Sequence, residues 1–428
     1  MLNVECMHST FNIQHLTLMK HLYIHIPFCH RRCAYCDFNT YANMDDRIEA
    51  YVAALCAELR LLAETVAPAP PASAEAASLR PTIFLGGGTP TMLSLGQMER
   101  VLEAASLIVP LAGAEVSSEA NPGTVLGRDY LRGLRRLGVN RLSMGVQSLH
   151  DPTLRILGRI HTADEARRSY AEAREAGFEN INLDFIFGLP GQDQAQWDAT
   201  LDEIVAWEVD HFSLYSLILE EKTPLFAQVT AGRVSVPDDD ATAAMYEAAM
   251  ARFAAAGYAQ YEISNFARGN REQGTGDSNC PAPVPCSLFP ERACHHNLAY
   301  WLNSDYLAAG AGAYGHITAG GSPHRYYDTL AVEEYIVAAG AGGLRSCRRG
   351  SPLVMSAILV PPLQWVAAML PLTDGIGQAR SSRWSDGASH DTVTPIYSAA
   401  ARHPSRPVCT EYRGSHRGSR RALGGSLR

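Results

Sequence analysis

Short β-like runs alternate with longer amphipathic stretches over the first half of this 428-residue chain, and that alternation limits the folds open to it. The runs are LYIHI (22–26), TIFLG (82–86), AEVSSEA (114–120), RLSMGVQS (141–148), NINLDFIFG (180–188) and HFSLYSL (211–217). The amphipathic stretches include RIEAYVAALCAELRLLAETV (47–66), RDYLRGLRRLGV (128–139), ADEARRSYAEAREAGF (163–178) and DQAQWDATLDEIVAW (193–207). Strands joined by helical crossovers predict a parallel sheet. Six such units predict an α/β fold, a full or partial TIM-like barrel of the (β/α)6 kind. In such barrels functional residues sit just after the strands, at their C-terminal ends. The unusual residues of this chain fall there: Cys29 after LYIHI, Gly86-Gly87-Gly88 after TIFL, Glu119 at the end of VSSEA, Gln147 after LSMGV, and Asp184 within NINLDFIFG.

No apolar run reaches the roughly 18–20 residues of a membrane span. The opening MLNVECMHSTFNIQHLTLMK lacks the parts of a secretory signal, so the chain reads as cytoplasmic. There its 10 cysteines stay reduced, and a tight group of them predicts metal binding or catalysis before disulfides. The net charge of −8 is uneven. From Arg345 onward there are 12 arginines and 4 acids, against 24 basic and 40 acidic residues before it. So acidic a body argues against a nucleic-acid partner, and basic tails are commonly just solvated.

The tightest cysteine group is HIPFCHRRCAYCDF, where Cys29, Cys33 and Cys36 are spaced C-x3-C-x2-C. A structural zinc site needs four ligands. The nearest spare thiol, Cys56, lies in the amphipathic run 47–66 and reads as a small buried apolar residue. Cysteine thiolates also hold iron–sulfur clusters, four to a cluster. Three on a four-iron cluster leave one iron open to a small molecule. Spacing alone leaves zinc, a cluster and three structural thiols all open.

The spacing, with Tyr35 just before the last cysteine, resembles the radical SAM signature. YIHIPFC (23–29), FLGGGTPT (84–91), SEANPGTV (118–125), NRLSMGVQS (140–148), LGRIHTADEA (157–166), NLDFIFGLPGQ (182–192), LYSLILEEKTPL (214–225), YEISNFA (261–267) and HNLAYW (296–301) narrow the resemblance. Together, from about Lys20 to Tyr327, they resemble the HemW/HemN family of oxygen-independent coproporphyrinogen III oxidases and heme-chaperone relatives. The resemblance implies a [4Fe-4S] cluster on Cys29, Cys33 and Cys36, whose open iron chelates the amino and carboxylate groups of S-adenosylmethionine (SAM). An electron entering the sulfonium would break a C–S bond and give a 5′-deoxyadenosyl radical, the cofactor carrying the hard step.

By the same resemblance Gly87, Gly88 and Thr89 contact the amino and carboxylate end of SAM, with Tyr23, Tyr35 and Glu119 also at that cofactor. Gln147, Arg159 and Asp184 match the second SAM site of the oxidase, and His296 is implied to touch heme or a porphyrin, with Cys294 and His295 beside it. Each has a plainer reading too. A triple glycine also makes an ordinary strand-to-helix turn, and Glu119 also suits a solvated strand end. Arg159 and Asp184 suit a structural ion pair, His296 a satisfied polar residue, and Cys280 and Cys286 surface thiols.

The oxidase pattern carries a further cysteine two residues after the third, where this chain has Phe38, and a longer N-terminal extension. Both differences imply the heme-chaperone branch, with heme as cargo for respiratory apoproteins. The alternatives are an oxygen-independent coproporphyrinogen III oxidase of porphyrin biosynthesis, or another radical SAM enzyme. The expected divisions are 1–18, a misassigned upstream start; 19–265, the barrel core; 266–343, a family-like extension with an inserted loop at 270–293 and HNLAYW; and 344–428, an irregular tail. The tail reads as disordered or frameshifted, so the family's C-terminal domain is expected to be degenerate or missing.

Overall fold

In the computed structural model the described residues are 19–65, 73–123, 127–269, 289–319 and 322–340. The expectations for 1–18, for 344–428 and for the loop cysteines Cys280 and Cys286 fall outside them.

Period-two alternation builds the central sheet. Its strands are β1 (His21–Ile26), β2 (Thr82–Gly87), β3 (Glu115–Ala120), β4 (Arg141–Gln147), β5 (Ile181–Phe187), β6 (His211–Ser216), β7 (Tyr258–Gln260), β8 (Asn265–Arg268) and β9 (Leu307–Ala309). Successive side chains point to opposite faces. On one face Leu22, Ile24, Ile83, Leu85, Val116, Leu142, Met144, Ile181, Leu183, Phe212 and Leu214 join a single apolar core. The helices over that core are α1 (Ile48–Thr65), α2 (Leu95–Ser106), α3 (Arg128–Arg136), α4 (Ala163–Glu175), α5 (Gln194–Ala206) and α6 (Asp239–Ala255). Their starts are chemically specified. Ser94 with Gln97, and Thr162 with Glu165, form reciprocal capping boxes at α2 and α4, and Asp193 and Asp238 cap α5 and α6.

The opposite face carries polar side chains at alternate positions: His21, Tyr23 and His25 on β1, Glu115, Ser117 and Glu119 on β3, and Asn182 and Asp184 on β5. Parallel sheets usually bury both faces in apolar residues. A polar second face marks this one as the lining of a site.

The strand order is β9-β1-β2-β3-β4-β5-β6-β8-β7. β1 to β6 pair in parallel and in chain order, as the alternation predicts for a partial barrel. The sheet is wider than expected. β9 adds a further parallel strand outside β1, and β8 and β7 pair antiparallel beyond β6. β9 is only Leu307, Ala308 and Ala309, too short and too uniform to show a period.

A buried polar knot fastens the last described helix, α7 being His295–Trp301 and α8 Val332–Gly340. Glu58 of α1 accepts the Gly310 amide at 3.0 Å and the Tyr335 hydroxyl of α8. Asp328 lies against Glu58, and burial pushes both carboxyls up, Asp328 to about 9. Tyr51 donates to the His25 carbonyl at 2.7 Å and accepts the Ala311 amide at 2.9 Å.

Candidate cofactor site

The cysteine loop follows β1 and is held on two sides. The Ala34 amide donates to the Leu157 carbonyl at 2.8 Å, and the Leu225 amide donates to the Ala34 carbonyl at 2.8 Å. Ala34 and Tyr35 pack on an apolar cluster of Leu157, Ile186, Leu189 and Leu225. Cys29, Cys33 and Cys36 are half-buried free thiols. Thr89 donates to the Cys29 sulfur at 3.6 Å, and Arg159 Nη1 donates to the Cys33 sulfur at 3.3 Å. Burial raises the Cys29 thiol to about 11 and raises Cys36 as well. Among the described residues no three His, Cys, Asp or Glu side chains stand close enough to share one metal ion.

The glycine turn ends β2 beside this loop. Gly87 has φ +109°, and a Cβ there would lie 2.4 Å from the His25 ring. A Cβ on Gly88 would lie 2.6 Å from the Phe28 carbonyl oxygen. Both positions therefore require glycine, the first by conformation and space, the second by space. The Gly87 amide donates to Glu119 at 2.9 Å. Burial, with the Asp184 charge nearby, raises the Glu119 carboxyl to about 7. His25 gives its Nε2 proton to the Asn39 carbonyl at 3.0 Å, so its Nδ1 accepts the Tyr23 hydroxyl at 2.9 Å. The Tyr23 and Tyr35 phenols are both held protonated, chiefly by burial.

Arg159 ties the ends of β3 and β4 to the loop. Beyond Cys33, its Nη2 donates to Asn121 Oδ1 at 2.6 Å and to the Gly145 carbonyl at 2.5 Å. Its Nε is buried with no hydrogen-bond partner. A register shift between Gly145 and Gln147, with Gln147 at φ +66°, bends the end of β4 at this point. The expected alternative of an Arg159–Asp184 ion pair is not formed. Asp184 instead accepts from Asn182 Nδ2 at 2.7 Å and from Ser143 Oγ at 3.4 Å. A small cleft opens beside Cys33, lined by His30, Arg31, Asn121, Gly158, Arg159 and Ile160.

His296 makes no hydrogen bond to this group, though its ring lies 6.4 Å from that of Tyr23. It is buried towards the N-terminal ends of the strands, with Nδ1 bonded to Thr82 at 2.7 Å and Nε2 to Tyr300 at 2.8 Å. Its ring stacks on Phe84 at 5.2 Å. Both ring nitrogens are therefore engaged within the protein. Sequence reasoning missed His25, Asn121 and Asn182. Asn121 lies inside the quoted SEANPGTV, where its bridge from Thr89 at 2.8 Å to Arg159 carries no spacing signal. His25 and Asn182 were visible only as polar residues at alternate strand positions.

Three thiols at the C-terminal rim of a parallel sheet, beside a glycine turn and a buried acid, define a class. The Radical SAM superfamily model matches residues 23–204. The heme chaperone HemW of Bacillus subtilis is 38% identical over 323 residues, covering 74% of this chain and 77% of that one. The HemW of Escherichia coli K12 is 36% identical over 303 residues, 69% of this chain and 70% of that one. Radical S-adenosyl methionine domain-containing protein 1 of Danio rerio, a mitochondrial protein, is 36% identical over 295 residues, 69% of this chain and 60% of that one. The chain belongs to the radical SAM superfamily as a HemW-like protein. The solved coproporphyrinogen III oxidase HemN of Escherichia coli shares the fold, with TM-score 0.60 and 23% identity over 78% of this chain and 72% of that one. No helix among the described residues is long and apolar enough to cross a membrane.

Proposed function

We propose that this protein binds a [4Fe-4S] cluster through Cys29, Cys33 and Cys36, takes SAM at the open iron, and holds heme for delivery to respiratory apoproteins. The cysteine loop carries the reading: three free thiols on one anchored loop, with cationic Arg159 on the Cys33 sulfur and a glycine turn alongside. These groups fit a cluster. The guanidinium stabilises a thiolate in a half-buried setting, and the unpartnered Arg159 Nε is a spare donor at the same place. When bound, the cluster supplies the electron that cleaves the C–S bond of SAM. The chain's own residues bind and orient. Gly87, Gly88 and Thr89 let the backbone approach the amino acid end of SAM. Tyr23, Tyr35 and Glu119 line the same side, and Gln147, Arg159 and Asp184 form a second group across β4 and β5.

Support for the chaperone role comes from the HemW relatives and from Phe38, which is 66% exposed where the oxidase pattern has a cysteine. His296 is proposed as a heme contact only if a bond to Thr82 or Tyr300 opens on loading. A cytoplasmic location fits this role. Anaerobic reconstitution, iron and sulfide analysis, heme titration and a coproporphyrinogen assay on one sample test the reading. The expected result is about four irons per chain, stable heme uptake and no decarboxylation. Cluster loss without heme uptake overturns the whole reading, and decarboxylation overturns the chaperone branch in favour of the oxidase.

A further inference from the structure

The Asp184 carboxylate is held from beneath by a directed chain of hydrogen bonds. Asn182, two residues earlier on the same face of β5, donates from Nδ2 to Asp184 at 2.7 Å and to Ser143 at 2.7 Å. The amide nitrogen is the donor towards the carboxyl, so the amide oxygen faces away. That oxygen accepts the longer Ser213 Oγ bond at 3.1 Å and meets His211 Nδ1 at 2.6 Å, which places the imidazole proton on Nδ1. His211 Nε2 is then an acceptor and takes the Tyr261 hydroxyl at 2.8 Å. The Tyr261 oxygen accepts the Cys294 amide at 3.2 Å, immediately before α7. Donation therefore runs one way, from Cys294 through Tyr261, His211 and Asn182 to Asp184. Asn182 and His211 are only 2% and 1% exposed, so neither is free to exchange these partners for water. Burial also keeps His211 neutral, as the relay requires.

We propose that Asn182, His211 and Tyr261 are positioning residues, which set the orientation of the Asp184 carboxylate from the α7 end of the barrel. This deepens, and rests on, the reading of Asp184 as a SAM contact. It also joins the HNLAYW helix to the cofactor group through the barrel interior. Tyr261 and His211 act only through Asn182, which touches Asp184 directly beside the longer Ser143 contact at 3.4 Å, so removing either should turn Asp184 without removing a cofactor contact.

The test uses the full chain, reconstituted with its cluster, and SAM as the probe. Tyr261→Phe keeps the ring and deletes only the hydroxyl. Its crystal structure is expected to show Asp184 rotated from its wild-type position, and its SAM affinity to fall about three- to tenfold. Iron and sulfide content should be unchanged. In an Asp184→Asn background, Tyr261→Phe should add no further loss. His211→Gln, whose amide both donates and accepts, should hold Asp184 in place and keep affinity within about twofold, whereas His211→Phe should not. An unmoved Asp184 with unchanged affinity in both Tyr261→Phe and His211→Phe overturns the relay. If Asp184→Asn itself leaves SAM affinity unchanged, the SAM reading of Asp184 falls. The relay is then decided by the Tyr261→Phe structure alone, upheld if Asp184 turns and overturned if it stays.

Discussion

Glycine at the end of β2 is a steric requirement that a single methyl group exposes. A Cβ on Gly88 meets backbone atoms of Ile26, Pro27 and Phe28 at 2.6–2.9 Å, and backbone has nowhere to retreat. Gly88→Ala is expected to cost about 1–3 kcal/mol, read from urea unfolding. Gly96, in the first turn of α2 with nothing within 4 Å of its Cβ, is the control. Gly96→Ala is expected to be neutral or to stabilise by up to about 1 kcal/mol. Glu119 adds a pH signature. Its carboxyl titrates near 7 in the folded chain against an ordinary 4.5. The unfolded state therefore releases this proton first, and the contribution of Glu119 to stability is full below pH 4.5 and is lost as pH rises through about 7. Glu119→Gln should flatten that decline in unfolding midpoints measured across the interval. The three cysteines were legible from spacing as one tight group, and the structure places all three as half-buried free thiols. Their supports, Arg159 on Cys33 and Thr89 on Cys29, come from connecting segments 126 and 60 residues along the chain, and that pairing leaves no local trace.

At the scale of elements, α7 shows how a short helix is seated. Its N-terminal amides, His295 and His296, both donate to Glu115 at 3.2 Å, and the Cys294 thiol reaches the same carboxylate. The acid at the start of β3 thus fixes a helix some 180 residues later. Glu115→Ala should cost about 1–3 kcal/mol by leaving those buried donors unpaired. Hydrogen exchange at His295 and His296 should then become fast while β1 to β6 stay protected. The six parallel strands were readable because each alternates apolar and polar residues over six or seven positions. β9 was not, and neither was the placing of His296. HNLAYW looks like an exposed ligand motif as a string. Only the fold shows its histidine bonded at both nitrogens beneath Phe84.

For the molecule as a whole, the knot of Glu58, Asp328 and Tyr335 ties α8 to α1 around a protonated Asp328. Burial raises both carboxyls, Asp328 up to about 9 from 3.8. Because these values are raised, the stabilisation is full at low pH and is lost as pH climbs through about 9. Asp328→Asn should therefore weaken the alkaline loss of stability between pH 7 and 9, followed by thermal melting. The same region closes over the cysteine loop. Asn39, three residues past Cys36, donates to the Ala311 carbonyl at 2.9 Å and to the Leu330 carbonyl at 3.0 Å, 272 and 291 residues downstream. β1 likewise lacks one neighbour until β9 exists. During synthesis, then, the ribosome has released the three thiols long before it makes the segment that pins them. The nascent chain passes through a stage with its three cysteine thiols emerged and its sheet edge open. Insertion of the cluster proposed for them is best deferred until the last strand has docked.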